Sequence, residues 1–316
     1  MLVFDADAVH ATLAWPLLIE ALRIAHLGEM PASDVVLQSD PRGSGNQFVT
    51  LPGWIPGGLI GVKMVGVFPG NAELQPPQPS VQGLVAAFDG ATGAPRMVAD
   101  GAAMTARKTA GDSALGSSLL ARHDARTLLV VGAGALAPHV AHAHSAARPS
   151  VDRILVWNRT PARAEAVVAG LKADGLNAAV ATDLDQAVSE ADIISCVTMS
   201  DTPLVKGALL RPGAHLDLIG AYMTTLREAD DEAMQRGTIF VDTRRGMEGA
   251  GDLAQPVASG ILGWDAVTAD MFDLAQARHP GRISEDEITI YKNVGGAHLD
   301  LFTVAALMAT HNATAP

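Results

Sequence analysis

A glycine-rich turn lies between an apolar run and a helix-like segment near the middle of the chain. The run Thr127–Val131 leads directly into Gly132-x-Gly134-x-x-Ala137, and a helical pattern follows from Pro138 to Ala147. Glycines at this spacing let the main chain approach a pyrophosphate, while the free amides at the helix start supply donors and a partial positive charge. The pattern predicts a dinucleotide site. The residues assigned to it are Gly132, Ala133, Gly134, Ala135, Leu136 and Ala137, with Val197 and Thr198 after a later apolar run.

The residues after the next apolar run bear on the choice between the two nicotinamide dinucleotides. An acidic residue there would accept hydrogen bonds from a free ribose 2′-hydroxyl group, but this chain has Asn158-Arg159-Thr160. Arg159 is placed to pair with a 2′-phosphate, and Asn158 and Thr160 can add donors. Arg163 either contributes as well or is a solvated helix charge. The sequence therefore favours NADP(H) over NAD(H).

Lys63 is a second candidate for chemistry. It stands in a run of otherwise apolar and glycine residues, Gly61–Val65, where burying an unpaired ammonium would be costly. Lys63 therefore meets an anion or lines a cleft, unless it lies at an exposed strand edge.

Composition narrows the class of protein. The chain has 316 residues, 48% of them hydrophobic, and a formal net charge of −12. We expect no nucleic-acid partner, because phosphate-backbone binding needs clustered Lys and Arg. The one cysteine, Cys196, stands in an apolar run, which excludes a disulfide within the chain and favours a cytoplasmic location. The N-terminus has no export signal and no window approaches a membrane span, so neither export nor insertion is expected. We predict no bound metal.

The order of apolar runs predicts two domains. From 119 to 293, strand-like runs alternate with helical patterns, which indicates a doubly wound parallel sheet of the Rossmann type. Residues 1–118 instead read as an α+β domain with Pro- and Gly-rich segments. An apolar helix from Val294 to Thr310 has no partner strand after it, so we expect residues 294–316 to return to the first domain.

Several motifs in order resemble the ornithine cyclodeaminase/μ-crystallin family across nearly the whole chain. They are Gly61–Val65 with Pro69-Gly70-Asn71, Asp89–Pro95, Met104–Ala110, Gly220–Glu228 and Asp286–Thr289. The resemblance implies a subunit that binds a nicotinamide nucleotide in one domain and dimerises through the other. Members of the family include cyclodeaminases, alanine dehydrogenases, ketimine reductases and binding proteins, so membership indicates fold and cofactor better than reaction.

The resemblance also implies which residues bind the substrate. Lys63 matches a lysine that contacts the substrate near its carboxylate and reacting nitrogen. Arg42 lies near the position of a carboxylate-binding arginine, although it could equally be a loop charge. The family's Arg-Thr pair appears here as Lys108-Thr109, with Arg107 one residue earlier. Either Lys108 or Arg107 takes the carboxylate, and Asp112, one helical turn on, either orients the Lys108 ammonium or forms a surface ion pair.

Tyr222 discriminates between the reactions of the family. Similar cyclodeaminases carry an aspartate two residues after the glycine that matches Gly220, where this chain has Tyr222. A phenol, with an ordinary pKa near 10, is a poor base at neutral pH but can donate a hydrogen bond or relay a proton. Tyr222 is therefore a candidate catalytic residue, with aromatic packing as the alternative, and loss of the aspartate favours reduction.

The sequence thus predicts an NADPH-dependent reductase of cyclic ketimino acids, within the ketimine reductase branch. The expected substrates are Δ1-pyrroline-2-carboxylate and Δ1-piperideine-2-carboxylate, and the products are proline and pipecolate. Lys63 and Tyr222 are the candidate catalytic residues, and Arg42, Lys63, Arg107 and Lys108 the candidate substrate-binding residues. The alternatives are an ornithine cyclodeaminase, an enzyme like alanine dehydrogenase, and a non-catalytic protein that retains NADPH.

Overall fold

The computed structural model describes residues 1–314 and divides them into two compact units. Unit 1 comprises Met1–Lys108 and the residues from Gly295 onward, and unit 2 comprises Thr109–Val294. The division therefore lies ten residues before the expected boundary at 118, because one uninterrupted helix carries the chain from unit 1 into unit 2. The last two residues of the expected returning segment, Ala315 and Pro316, lie outside the described residues.

Unit 1 is built on a seven-stranded mixed sheet. Its order is β1-β7-β6-β5-β4-β2, with β3 also paired to β4, and only the β1–β7 pair is parallel. The strands are β1 (Leu2–Phe4), β2 (Ala32–Ser33), β3 (Val36–Ser39), β4 (Gln47–Trp54), β5 (Leu59–Val67), β6 (Val81–Asp89) and β7 (Pro95–Asp100). The helices are α1 (Ala6–Thr12), α2 (Trp15–Ala25), the first part of α3 (Gly101–Leu120), and α10 (Ala297–Thr314).

The two faces of this sheet have different surroundings. Helix α10 covers the face that carries Lys63, and its Leu301 side chain fits against Gly53 and Gly61. A Cβ atom at Gly61 would lie 2.7 Å from Leu301, so glycine there allows the close approach of the helix. The opposite face, which we name the open sheet face, carries Val36, Phe48, Trp54 and Leu84, each between 38% and 48% exposed.

Unit 2 contains an eight-stranded sheet in which every strand pair is parallel. Its order is β10-β9-β8-β11-β12-β15-β13-β14. The strands are β8 (Thr127–Val131), β9 (Arg153–Trp157), β10 (Ala178–Val180), β11 (Ile193–Cys196), β12 (His215–Leu218), β13 (Thr238–Val241), β14 (Val267–Asp270) and β15 (Thr289–Lys292). The helices are α4 (Ala137–Ala147), α5 (Pro161–Ala173), α6 (Leu184–Glu190), α7 (Asp231–Arg236), α8 (Gly251–Ala258) and α9 (Met271–Ala275). The predicted fold class is confirmed.

The core of unit 2 includes charged groups as well as aliphatic ones. Asp217 in β12 is fully buried, accepts hydrogen bonds from Ser113 (2.7 Å) and Ser195 (2.5 Å), and lies 3.2 Å from His144. Cys196 is buried in β11, and burial raises the pKa of its thiol well above the usual range. Within residues 1–314, no single helix is long and apolar enough to cross a membrane; α1 and α2 reach that length and apolar content only together, and they are bent by 77° relative to each other.

Candidate active site

The glycine turn of unit 2 has the geometry of a nucleotide site. Gly132 has a φ of +115°, which a residue with a side chain rarely adopts, and its amide donates to the Trp157 carbonyl (2.8 Å). Gly134 is exposed, and a Cβ atom added to it would meet no atom within 4 Å. Helix α4 begins after Leu136 with no side-chain cap. The turn therefore leaves a space and a helix N-terminus at which an anionic group can bind.

The residues expected at the ribose end lie together where β9 ends and α5 begins. Arg159, Thr160 and Arg163 are exposed, and among residues 1–314 the Arg159 guanidinium forms no ion pair within 4 Å. The Asn158 amide donates to the Thr160 carbonyl (3.0 Å), so one of its two hydrogens already holds the turn. Arg159 and Arg163 are thus accessible to a phosphate group.

Glu228 joins the loops that follow two neighbouring strands of the unit 2 sheet. Its Oε1 accepts from the amide (2.7 Å) and hydroxyl (2.9 Å) of Thr198, after β11. Its Oε2 accepts from the amides of Gly220 (2.7 Å) and Ala221 (3.3 Å), after β12. Both donors of Thr198 are therefore engaged within the protein, and its assignment to the cofactor site stays a prediction. Val197 lies against Gly132: a Cβ atom added to Gly132 would be 2.9 Å from the Val197 carbonyl oxygen.

Glu228 is itself part of a buried charged group. The side chain is fully buried, and burial, reinforced by the nearby Asp252, raises its pKa to about 7. Asp252 accepts from the Glu228 amide (2.8 Å) and from Lys292 Nζ (3.1 Å). Glu228 closes the family motif that begins at Gly220, but the sequence had marked only Tyr222 within it as a site residue. Glu228 joins the two loops through a contact with Thr198, which is 30 residues away, and no local sequence pattern reveals that contact.

Tyr222 lies directly after the loop that Glu228 holds. Its amide donates to the Gly220 carbonyl (3.0 Å), and its side chain is 51% exposed. A core packing role, which the sequence left open, does not fit that exposure. The phenol is accessible for donating a hydrogen bond to a ligand.

In unit 1 the structure brings Lys63 and Lys108 together. Lys63 Nζ, on β5, donates to the Thr105 hydroxyl (2.7 Å) and lies 3.8 Å from Asp300 Oδ1. Lys108 Nζ, on α3, donates to Asp300 Oδ2 (2.7 Å) and to the Gly295 carbonyl (2.7 Å). Burial and the nearby Lys108 ammonium lower the pKa of Lys63 to about 8, and Asp300 opposes that change. The three charged side chains form what we call the lysine–aspartate cluster.

Arg107 points to a different part of unit 1. Its guanidinium donates to His10 Nδ1 and to the His10 carbonyl, both at 3.0 Å, and lies 4.0 Å above the Trp15 ring. Neighbouring residues on a helix project about 100° apart, so Lys108 and Arg107 cannot share one direction. Of the two alternatives left open by the sequence, the structure places Lys108, and not Arg107, beside Lys63.

Two further expectations are corrected. Arg42 lies in the exposed turn between β3 and β4, whereas Lys63 pairs with Leu51, four residues inside β4, or about 13 Å along the strand. The structure therefore does not bring Arg42 to Lys63. Asp112 is fully buried and accepts from the Tyr291 hydroxyl (2.8 Å), so it is not a surface ion pair. The carboxylate that meets Lys108 is Asp300, which no sequence motif had marked.

Comparison with known proteins relates the glycine turn of unit 2 and the lysine–aspartate cluster of unit 1 to one family. The model of the Ornithine cyclodeaminase/mu-crystallin family matches residues 9–314. The chain belongs to this family. In the described part of the chain, no three His, Cys, Asp or Glu side chains are grouped so that they could hold a metal ion.

Relatives within the family include two proteins named Δ(1)-pyrroline-2-carboxylate reductase. The one from Paracoccus denitrificans is 43% identical over 304 residues, 94% of each chain. The one from Colwellia psychrerythraea is 31% identical over 307 residues, covering 95% of this chain and 96% of the relative. The resemblance predicted from the motifs is thus confirmed, including its ketimine reductase branch.

A solved structure shows the same fold. The Thermococcus litoralis Δ(1)-pyrroline-2-carboxylate reductase, in complex with NADH and L-proline, superposes with a TM-score of 0.90 over 99% of this chain and 98% of that chain. The sequence identity is 24%, so this likeness concerns the fold.

Proposed function

We propose that this family member uses NADPH to reduce Δ1-pyrroline-2-carboxylate to proline, and Δ1-piperideine-2-carboxylate to pipecolate. The observation that carries the proposal is the 43% identity with the Paracoccus denitrificans reductase over 94% of both chains. The class of enzyme follows from the same relatives: an oxidoreductase that uses a nicotinamide nucleotide and acts on imino acids.

The lysine–aspartate cluster supports a substrate with one carboxylate. Two ammonium groups and one carboxylate leave a net charge of plus one in a buried place, and a buried charge is stabilised when an opposite charge completes it. Lys63 and Lys108 are proposed to bind the ring carboxylate. Lys63, with one donor held by Thr105, has other hydrogens available for the substrate.

The bound nucleotide supplies the hydride, and the protein must hold the imine and manage one proton. C2 of the ring receives the hydride, and the ring nitrogen keeps or takes up a proton. Tyr222 is proposed to deliver that proton, because its exposed phenol replaces the carboxylate expected of a cyclodeaminase. Deamination would lack its base, whereas reduction keeps its hydride donor.

The preference for NADPH over NADH is proposed from the end of β9. Arg159 is exposed there and no acidic residue accompanies it. A guanidinium can pair bidentately with a phosphate, while a free ribose would find no carboxylate acceptor at this position. Arg163, also exposed in the first turn of α5, adds a second cation.

A homodimer is proposed to form through the open sheet face. Val36, Phe48, Trp54 and Leu84 expose apolar side chains on one side of a sheet whose other side α10 covers. A contiguous apolar patch of this kind is typical of an interface. The buried free thiol of Cys196 fits a reducing compartment, so a cytoplasmic location is proposed as well.

The test is the loss of NADPH absorbance when purified protein is mixed with each cyclic imino acid. Alanine with NADP⁺, pyruvate with ammonia, and ornithine serve as comparisons, and NADH replaces NADPH in a parallel series. We expect the highest kcat/KM with a cyclic imino acid and NADPH. Ammonia release from ornithine without net nucleotide consumption would indicate a cyclodeaminase instead, and NADPH binding without turnover of any substrate would indicate a binding protein.

A further inference from the structure

Asp300 occupies an unusual position between two cations. It lies in the first turn of α10, and its side chain is 6% exposed. Its Oδ2 pairs with Lys108 at 2.7 Å, whereas its Oδ1 is 3.8 Å from Lys63 and accepts no hydrogen bond among the described residues. One buried carboxylate thus faces two buried ammonium groups. It forms a hydrogen bond with Lys108 and lies near Lys63 without one.

The apolar surroundings of Asp300 strengthen its effect on the two neighbouring ammonium groups. Lys63 and Asp300 line a narrow crevice, too small in this conformation to hold a water molecule, whose other walls include Leu51, Val85 and Val304. In such apolar surroundings charges interact more strongly than in water. Without Asp300, two ammonium groups would repel each other there. With it, the cluster carries one net positive charge and can take one anion.

We propose that Asp300 is a positioning residue, which orients Lys63 and Lys108 toward a single substrate carboxylate and sets the net charge of their site at plus one. The proposal rests on the proposed function, in which this cluster binds a cyclic imino acid. Asp300 acts through the two lysines and does not itself react.

The pKa of Lys63 distinguishes a positioning role of Asp300 from a merely structural one, because loss of packing alone would not shift it. The charged groups that act on Lys63 are Lys108 on α3, which lowers its pKa, and Asp300 on α10, which raises it; Thr105 is neutral. Lys63 binds a carboxylate only as the ammonium ion. Activity should therefore fall as the pH rises through the pKa of Lys63, which is about 8.

The experiment compares Asp300→Asn with the wild type in kcat/KM for Δ1-pyrroline-2-carboxylate across pH, at saturating NADPH. Loss of the opposite charge should move the alkaline limb to lower pH by about 1, the lower end of what a neighbouring charge does. KM should rise more than kcat falls, because an interaction in the ground state is lost. Asp300→Glu, which restores the charge, should return the limb toward the wild-type position.

Lys108→Met provides a second variant that does not depend on the folding of the first. It removes the ammonium that lowers the pKa of Lys63, so the limb should move to higher pH even though substrate binding weakens. Asp217→Asn is the matched control: it removes a buried carboxylate from unit 2 and should lower the melting temperature without moving the limb. An unmoved limb in both Asp300→Asn and Lys108→Met would overturn the proposal.

A measurement without substrate separates this proposal from the proposed function. Lysine side chains labelled by reductive ¹³C-methylation can be titrated by NMR, with Lys63→Arg assigning the resonance of interest. A lower titration point for Lys63 in Asp300→Asn is expected. If that displacement appears but the wild type reduces no cyclic imino acid, the charge-setting role stands and the substrate assignment fails. If it does not appear, Asp300 does not set the charge of Lys63.

Discussion

Substitution of Gly134 by alanine tests the nucleotide site without disturbing the fold. The added Cβ atom would meet no protein atom within 4 Å, and the φ of Gly134 lies outside the left-handed region. The folded state should therefore tolerate the methyl group, and the reduced entropy of the unfolded chain would add about 0.4–1 kcal/mol of stability. A pyrophosphate lying against this turn would instead meet the methyl group directly.

The cost to nucleotide binding can be estimated from this contrast. Forcing one extra methyl group into a packed contact costs about 1–3 kcal/mol, which corresponds to an increase in Kd of about 5- to 150-fold. Fluorescence titration with NADPH would measure the Kd, and thermal unfolding without nucleotide would measure stability. We expect a weaker Kd with an unchanged or slightly higher Tm.

Gly132→Ala is the matched comparison for this experiment. Its φ of +115° and the Val197 oxygen at 2.9 Å make a side chain strained with or without nucleotide, at a cost of about 1–3 kcal/mol. Its Tm should fall in the nucleotide-free protein. If Gly134→Ala binds NADPH within about twofold of wild type, the pyrophosphate does not lie against this turn and the site must be sought elsewhere.

Four further predictions concern single side chains. Arg159→Ala should weaken NADPH binding by about 1.5–3 kcal/mol, the scale of a hydrogen bond to a charged group, and leave NADH nearly unchanged, with Arg163→Ala as the smaller comparison; equal losses for both nucleotides would remove the 2′-phosphate assignment. Lys63→Met should lower kcat/KM for the imine by about 30-fold or more while NADPH still binds, because removing one partner of a buried charge pair costs about 2–5 kcal/mol; near-normal kcat/KM would make Lys63 merely structural. Tyr222→Phe should lower kcat by about 100-fold, whereas Tyr222→Asp should not release ammonia from ornithine; a kcat for the Phe variant within about twofold of wild type at every pH leaves the phenol no part in proton transfer. The folded-state pKa of Glu228 is raised from 4.5 to about 7, so the stability that this group contributes is present below pH 4.5 and is lost as the pH rises through 7. Glu228→Gln should make the Tm depend less on pH over that range. A decline of Tm as steep as that of the wild type would contradict the raised pKa.

Much of the unit 2 sheet could be predicted because its strands are buried on both faces. Runs such as Thr127–Val131 and Ile193–Cys196 are apolar at all but one position each, which is typical of parallel sheets covered by helices. β15, between β12 and β13, was not recognised as a strand. It contains Tyr291 and Lys292, both fully buried, whose polar atoms are satisfied by Asp112 and Asp252. Those partners lie far away in sequence, so nothing near Lys292 indicates that its ammonium group can be buried.

Contacts between residues that are distant in sequence leave no local pattern, and this explains which parts of the candidate site could be predicted. The glycine turn is a local pattern, and its spacing between an apolar strand and a helical segment indicated it. The choice between Arg107 and Lys108 depended on the rotation of α3 about its axis, which the residues themselves do not show. Asp300 is 192 residues from Lys108 and reaches it only because α10 packs closely on the sheet at Gly61.

The return of α10 to unit 1 has a consequence for how the protein is made. Residues 1–108 leave the ribosome well before residue 300, and domains tend to fold as they emerge. Until α10 is synthesised, the face that carries Lys63 has no cover from Leu301, and neither lysine has the Asp300 carboxylate. The charged groups that we propose to bind the substrate carboxylate are therefore assembled last in unit 1. Chains that stop before α10 would expose an apolar sheet face and become targets of chaperones and proteases.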